Sequence, residues 1–228
     1  MRRFTADVSH QLRTPLTALR SVGEVGLREH RDDANYRTII GSMLEEADRL
    51  ASLVDRLLTL SRAETRQARL TPDEFDVREL ADEVANHLEV LAEEQGQSID
   101  VEQVGAPRAY ADRFVVRQAL INLVDNAIKF SPLGGRIRIR VAEASNEPII
   151  DVIDSGRGID ASAREHIFDR FYRAADAETP GTGLGLSIAK GAVEATGGRL
   201  TLAASGADGT TFRIALPGTA RMRRARAG

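Results

Sequence analysis

The sequence predicts a two-part chain, an all-α helical hairpin followed by an α+β two-layer sandwich. Three observations carry that prediction. Over the first sixty positions apolar residues recur at alternating three- and four-residue steps, the spacing of a narrow helical seam. That period changes after Leu70-Thr-Pro-Asp73. Beyond it, helix-period runs are interleaved with strand-period runs, of which Arg136-Ile-Arg-Ile-Arg-Val141 alternates strictly. The 228 residues suffice for one large domain or two small ones with a buried core, and they contain no internal repeat or low-complexity tract.

Composition narrows the class. Charged residues make up 29% and aromatic residues 4%, without tryptophan, which suits a helix-rich soluble protein. A formal charge of -3 argues against nucleic acid as the main partner. The absence of cysteine excludes disulfides and thiolate zinc sites. No stretch approaches the roughly 18 apolar residues of a membrane span, and no signal peptide precedes the first motif.

In the first helix Val8, Leu12, Pro15, Leu19, Val22 and Gly26 form the seam. In the second it is Ile40, Met43, Ala47, Leu50, Val54, Leu57 and Ser61. The short polar run 29–35 between them predicts an antiparallel hairpin. One hairpin has too little core to stand alone. Two from two chains complete a four-helix bundle, so a homodimer is expected. Pro15 lacks an amide donor and should bend the first helix. The boundaries expected are 1–68 for the hairpin, 69–76 for a linker, 77–218 for the sandwich and 219–228 for a basic, disordered tail.

In the second part Asp76 is placed to cap a helix with Val77, Leu80, Val84, Leu88 and Leu91 on one face. Residues 98–104 read as a strand, and Asp112 caps a long helix running to about Phe130. Strands follow at 136–141 and 148–154, then a helix near 162–168. After an irregular stretch containing Gly and Pro, a helix is expected from about Leu184 to Thr196. Residues 199–203 and 210–216 close the domain as a hairpin. The sheet is expected to be mixed, with helices on one side.

Three segments carry chemistry suited to a nucleotide. Asn122, Asn126 and Lys129 share one helical face. Amide oxygens are hard ligands for magnesium and an ammonium neutralises phosphate, although a plain polar face would look the same in isolation. Asp154-Ser-Gly156-Arg-Gly158 ends a strand in a turn, where glycine permits close backbone approach and the carboxylate can accept a base amino group. Gly181-Thr182-Gly183-Leu184-Gly185 opens a helix whose free amides suit phosphate. By itself that glycine spacing is equally a loop. It follows no first strand of a βαβ unit and precedes no Lys-Ser/Thr pair, so neither a dinucleotide fold nor a P-loop is indicated.

Together the three segments resemble the N, G1 and G2 boxes of the ATPase fold (Bergerat type) shared by histidine kinases, gyrases, Hsp90 chaperones and MutL proteins. Ile167-Phe-Asp-Arg-Phe-Tyr-Arg173 resembles the histidine-kinase F box. Asp7-Val-Ser-His10-Gln-Leu-Arg-Thr-Pro-Leu16 resembles the phosphoacceptor box of two-component sensor histidine kinases. The resemblance covers nearly the whole chain. It implies an ATP- and Mg2+-dependent kinase that phosphorylates its own His10 and passes the group to an aspartate of a response regulator. By position, Asp154 is expected at adenine with Gly156 and Gly158 shaping the pocket, Asn126 at magnesium, and Asn122, Lys129 and Arg173 near the phosphates. Gly183 and Gly185 are expected to hinge a lid that Phe168 and Phe171 anchor. The resemblance also implies a cytoplasmic core cut from a longer, membrane-anchored protein.

Two positions modify that expectation. Gyrase-like relatives place a glutamate where this chain has Asn122. An amide takes no proton at neutral pH, so the site should bind ATP yet hydrolyse it poorly. Most histidine kinases place an acidic residue after the histidine, and this chain has Gln11. Its oxygen can hold the imidazole Nδ1 proton but cannot remove it, and base assistance is worth about 10²–10⁴-fold. Slow autophosphorylation is therefore expected. Thr14, one turn beyond His10, matches the residue that helps to dephosphorylate the regulator. His30, His87 and His166 lack metal-ligand spacing. A hydrolysing ATPase and a catalytically inactive signalling module are the competing readings. The first is opposed by Asn122 and the acceptor box, and the second rests on Gln11 alone.

Overall fold

The computed structural model describes residues 16–26, 35–44, 47, 50, 70–173 and 183–219. The chain divides into two compact units, residues 1–59 and 60–228.

The first unit contains helix α1 (16–26) and helix α2 (35–44, with 47 and 50 also helical). They run antiparallel. A Cβ on Gly26 would lie 3.1 Å from Ile39 Cγ2, and one on Gly23 would lie 3.4 Å from Met43 Cε. Small residues on α1 thus face larger ones on α2, and the expected hairpin is present. On α2 Met43 meets α1 as expected, but the seam departs at two other positions. Ile39, not Ile40, meets α1; Ile40 is 54% exposed and Ala47 is exposed too. A helix of 3.6 residues per turn lets either neighbour satisfy a three-four pattern, and here the small Gly26 accommodates the branched Ile39. The remaining seam positions, Val8, Leu12, Pro15, Val54, Leu57 and Ser61, lie outside the described residues.

The second unit is a two-layer sandwich. Its strands are β1 (Asp73–Asp76), β2 (Ser98–Gln103), β3 (Arg108–Ala111), β4 (Arg136–Ala144), β5 (Glu147–Ile153), β6 (Arg199–Gly206) and β7 (Gly209–Ala215). Its helices are α3 (Val77–Glu93), α4 (Arg113–Phe130) and α5 (Gly185–Ala195). The five-stranded sheet has the order β2-β4-β5-β7-β6, with β2 parallel to β4 and the other neighbours antiparallel. Alternation assigns its two faces. Ile137, Ile139 and Val141 are fully buried, while Arg136, Arg138 and Arg140 point to the other side. The buried face continues through Ile150, Val152, Phe212, Ile214 and Leu200, and carries the core shared with the helices. The open face is ionic. Arg136 pairs with Asp100 at 3.3 Å, Arg138 with Glu102 at 3.2 Å, and Arg213 grips Asp151 through two bonds of 2.7 and 2.8 Å.

Both helix caps form as expected. Asp76 Oδ1 accepts from Arg78 N at 2.8 Å, and Asp112 Oδ1 accepts from Val115 N at 3.2 Å. Four details differ from the sequence expectation. The expected linker 69–76 contains β1, which pairs antiparallel with β3 in a second small sheet. Each of these strands has four residues and no long apolar alternation, so neither stands out by period. On α3, Leu91 is 38% exposed and Ala92 takes the inward position. Residues 161–168 form successive turns and not an α-helix: Ala163 N bonds Asp160 O and His166 N bonds Ala163 O, both across three residues. Finally, the closing hairpin is longer than expected, with strands reaching Gly206 and Gly209. The tail from 220 onward lies outside the described residues.

Candidate active site

Helix α4 is the backbone of the site. Its inner face, with Val116, Leu120, Leu123, Val124 and Ala127, is buried, which fixes the rotation that leaves Asn122 and Asn126 half-buried on another side. The N-terminus of α5 comes to these two amides. A Cβ on Gly185 would lie 3.7 Å from Asn126 Nδ2, 3.8 Å from Asn126 Oδ1 and 3.9 Å from Asn122 Oδ1. No side chain caps α5. Among the described residues its first amides are given no side-chain acceptor, and they lie beside two side-chain amides, an arrangement that attracts an anion. Leu184 contributes only backbone here, since its side chain is fully buried.

The other end of α4 meets the Asp154 turn. Gly156 packs so closely that a Cβ there would stand 2.6 Å from Phe130 O. Asp154 is 8% exposed, and its Oδ1 accepts from Gly156 N at 2.8 Å and Thr210 N at 3.0 Å. Burial raises its carboxyl above the usual range, and the two amide bonds oppose that rise. Both amides end on one oxygen, which leaves Oδ2 for a ligand donor. Along α4, Asn126 and Asn122 lie about 6 and 12 Å from Phe130. A purine held at Asp154 would therefore direct its ribose and phosphates along the helix toward the free end of α5.

Gly158, at φ +77°, touches Gly206 O, so any side chain there would collide with backbone. Lys129 lies one turn beyond Asn126 and bonds Asp125 Oδ2 at 2.5 Å. Phe168 is held edge-on to Phe212, with ring centroids 6.2 Å apart, and Lys190 Nζ lies 4.9 Å above its ring. Phe171, at φ +62°, donates its amide to Gly183 O at 2.9 Å. The residues expected as lid anchors therefore fasten residues 168–171 to β7, α5 and Gly183. Arg173 is exposed at the end of the same segment. His10, Gln11, Thr14, Gly181 and Thr182 lie outside the described residues.

Sequence reasoning missed two contributors. Thr210 reaches Asp154 from 56 residues away, signalled only by the Gly209-Thr210 step that opens β7. Phe130, 47% exposed, sits with its carbonyl against Gly156 and so fixes the Asp154 turn to the end of α4. Among the described residues no cluster of three His, Cys, Asp or Glu side chains could hold a metal. The Asn126 amide oxygen, with phosphate and water, is a ligand set that magnesium accepts.

Comparison with known proteins agrees with this geometry. Residues 1–66 match the His Kinase A (phospho-acceptor) domain. Residues 111–220 match the histidine kinase-, DNA gyrase B- and HSP90-like ATPase family. The sensor protein IrlS of Burkholderia pseudomallei is 36% identical over 218 residues, 94% of this chain and 47% of its own length. The chain thus spans about half the length of that relative. Full-length ShkA in complex with AMPPNP is similar at a TM-score of 0.72, with 26% identity over 93% of this chain and 45% of that one. The histidine kinase ThkA, solved in complex with the response regulator TrrA, is similar at 0.78, with 27% identity over 96% of this chain and 62% of that one.

Proposed function

The chain belongs to the sensor histidine kinases, and from that premise we propose that it transfers the γ-phosphoryl group of ATP to its own His10 and then to an aspartate of a response regulator. One observation carries the nucleotide half of this reading. The free N-terminus of α5 meets Asn122 and Asn126 at one end of a helical face whose other end meets the buried Asp154. Asp154 Oδ2 accepts the adenine amino group, while Gly156 and Gly158 keep the pocket free of side chains. Phe130 covers one face of the base. Asn126 ligates Mg2+ through its amide oxygen, and Asn122, Lys129, Arg173 and the amides of residues 181–185 surround the phosphates. Magnesium neutralises charge on the transferring group, and the protein supplies position and electrostatics.

With an amide at Asn122, nothing at that position can activate water. The phosphoryl group is left for the neutral imidazole of His10, a nucleophile available near pH 7. Gln11 orients the ring through Nδ1 without removing its proton. Thr14 orients water for the opposing reaction, in which the regulator's aspartyl phosphate is hydrolysed to aspartate and inorganic phosphate. Two chains pair through the exposed apolar positions of the hairpin, among them Leu16, Ile40 and Leu44. In a longer parent protein this core would lie on the cytoplasmic side of a membrane anchor. The relation of ThkA to TrrA supports a receiver domain as the partner.

The test is incubation with Mg2+ and γ-labelled ATP beside His10→Ala. Label that is acid-labile, alkali-stable and lost with His10 is the expected result. Steady ATP turnover without phosphoprotein would instead reveal a hydrolysing ATPase.

A further inference from the structure

Resting on the assignment of Asp154 to the base, we infer that Arg164 is a positioning residue for nucleotide recognition, a latch joining the two backbone segments that hold the Asp154 carboxylate. The two amides on Asp154 Oδ1 come from different places: Gly156 lies in the turn after β5, and Thr210 lies in the β6–β7 hairpin. Arg164 bonds both segments. Its Nε donates to Ile159 O at 3.1 Å, and its Nη2 donates to Ser205 O at 3.0 Å.

Each of those carbonyls stands close to its amide. Ile159 follows Gly156 by three residues on the same turn. Ser205 is the direct cross-strand partner of Thr210, so a shift at Ser205 moves the Thr210 amide with it. The same joint carries a third bond, from Ile159 N to Ser205 Oγ at 2.7 Å, and Gly158 touches Gly206 O beside it. Arg164 itself is exposed and adds nothing to the core. Its planar guanidinium, with donors in a fixed fork, suits two carbonyls at once. Closing this joint keeps both amides on Oδ1 and so leaves Oδ2 directed at the ligand.

Two solvent-screened bonds of this kind correspond to roughly a three- to tenfold change in affinity. The experiment measures ATP affinity, autophosphorylation kinetics and thermal midpoint in the full chain for Arg164→Gln, Arg164→Lys, Asp154→Ala and the Asp154→Ala/Arg164→Gln pair. Arg164→Gln is expected to weaken ATP three- to tenfold and raise KM while leaving kcat and the midpoint near those of the parent. Arg164→Lys, keeping one donor, should fall between. In the Asp154→Ala background Arg164→Gln should add no further weakening, because the latch acts through that carboxylate. Unchanged affinity in Arg164→Gln, full multiplication of the two effects, or a loss of several degrees in midpoint would each overturn the latch. Unaltered ATP binding in Asp154→Ala would overturn the assignment of the base pocket and the latch with it.

Discussion

Replacing Asp154 by Asn separates the cost of the buried carboxylate from its use. The side chain is 8% exposed, and its Oδ1 accepts the Gly156 and Thr210 amides. An Asn oxygen can keep both bonds, so the turn and the hairpin should stay joined. The change falls on the second atom, where an NH2 donor replaces Oδ2. Opposite the adenine amino group this sets donor against donor. Loss of a charge-assisted bond costs about 1.5–3 kcal/mol, and the unpaired donors add to that, so a net loss near 3 kcal/mol, or on the order of 10²-fold in ATP affinity, is expected. Stability should move the other way. Burial holds the folded-state pKa of Asp154 above its unfolded value of 3.8. Between those two values the native state binds more protons than the unfolded state, so this carboxyl lowers stability as pH rises and remains unfavourable at neutral pH. Asp154→Asn removes that contribution, and the ligand-free midpoint should hold or rise. Calorimetric titration with ATP and melting without it measure the two quantities. ATP affinity within threefold of the parent would refute the contact with the base. A midpoint lowered by about 6 °C or more, about 2 kcal/mol for a chain of this size, would refute the claim that the carboxylate is unfavourable in the fold.

Three further predictions follow from other parts of the molecule. Gln97, 5% exposed, donates from Nε2 toward Ile128 O, Ser131 O and Pro132 O at 3.1–3.2 Å, so Gln97→Leu should strand these carbonyls at the end of α4 and cost about 2–3 kcal/mol in urea unfolding; an unchanged midpoint would show that water replaces the amide. Glu83 is held below its usual pKa of 4.5 by Arg113 and then Arg117, at 2.6 and 2.5 Å. Its stabilisation is complete above pH 4.5 and is lost as pH falls through the depressed folded value. Because the carboxylate is 40% exposed, Glu83→Gln should cost only about 0.5–1 kcal/mol at pH 7 and progressively less as pH falls below 4.5, as read from paired denaturation curves. Gln11→Glu should raise the autophosphorylation rate, up to about 10²-fold if proton removal limits it; an equal or lower rate in a quench-flow assay would discard the missing-base argument.

The parts of this molecule that were legible in its sequence are those set by local chemistry. Asp76 and Asp112 announce their caps because a capping side chain bonds amides two or three residues away. β4 announces its two faces by strict alternation. Helices α4 and α5 bring together the glycine-opened helix and the two asparagines, whose residue types already implied phosphate. What stayed hidden depends on distant backbone. Thr210 and Ser205 act through main-chain groups, so their side chains advertise little, and Arg164 resembles any solvated arginine until Ser205 stands beside it. Residues 161–168 mislead for the opposite reason. The spacing of Arg164, Ile167 and Phe168 suits one face of a helix, yet the backbone bonds there close across three residues, from Ala163 N to Asp160 O and from His166 N to Ala163 O.

Helix α4 shows how these contacts combine. Asp112 caps its start through Oδ1 while its Oδ2 holds Thr71 N at 2.9 Å, so the incoming chain is fixed to the helix that carries the asparagines. Glu83 of α3 ties down the first turns through Arg113 and Arg117, and Gln97 fastens the last carbonyl groups. Both ends and one flank of α4 are thus set before any nucleotide arrives, which reserves binding free energy for orientation of the phosphates. The ammonium of Lys129 is the exception, since it is engaged with Asp125 one turn back. To reach a phosphate it must leave that carboxylate. On the proposed reading that exchange is cheap, because a helical pair of this spacing is worth only about 0.3–0.5 kcal/mol.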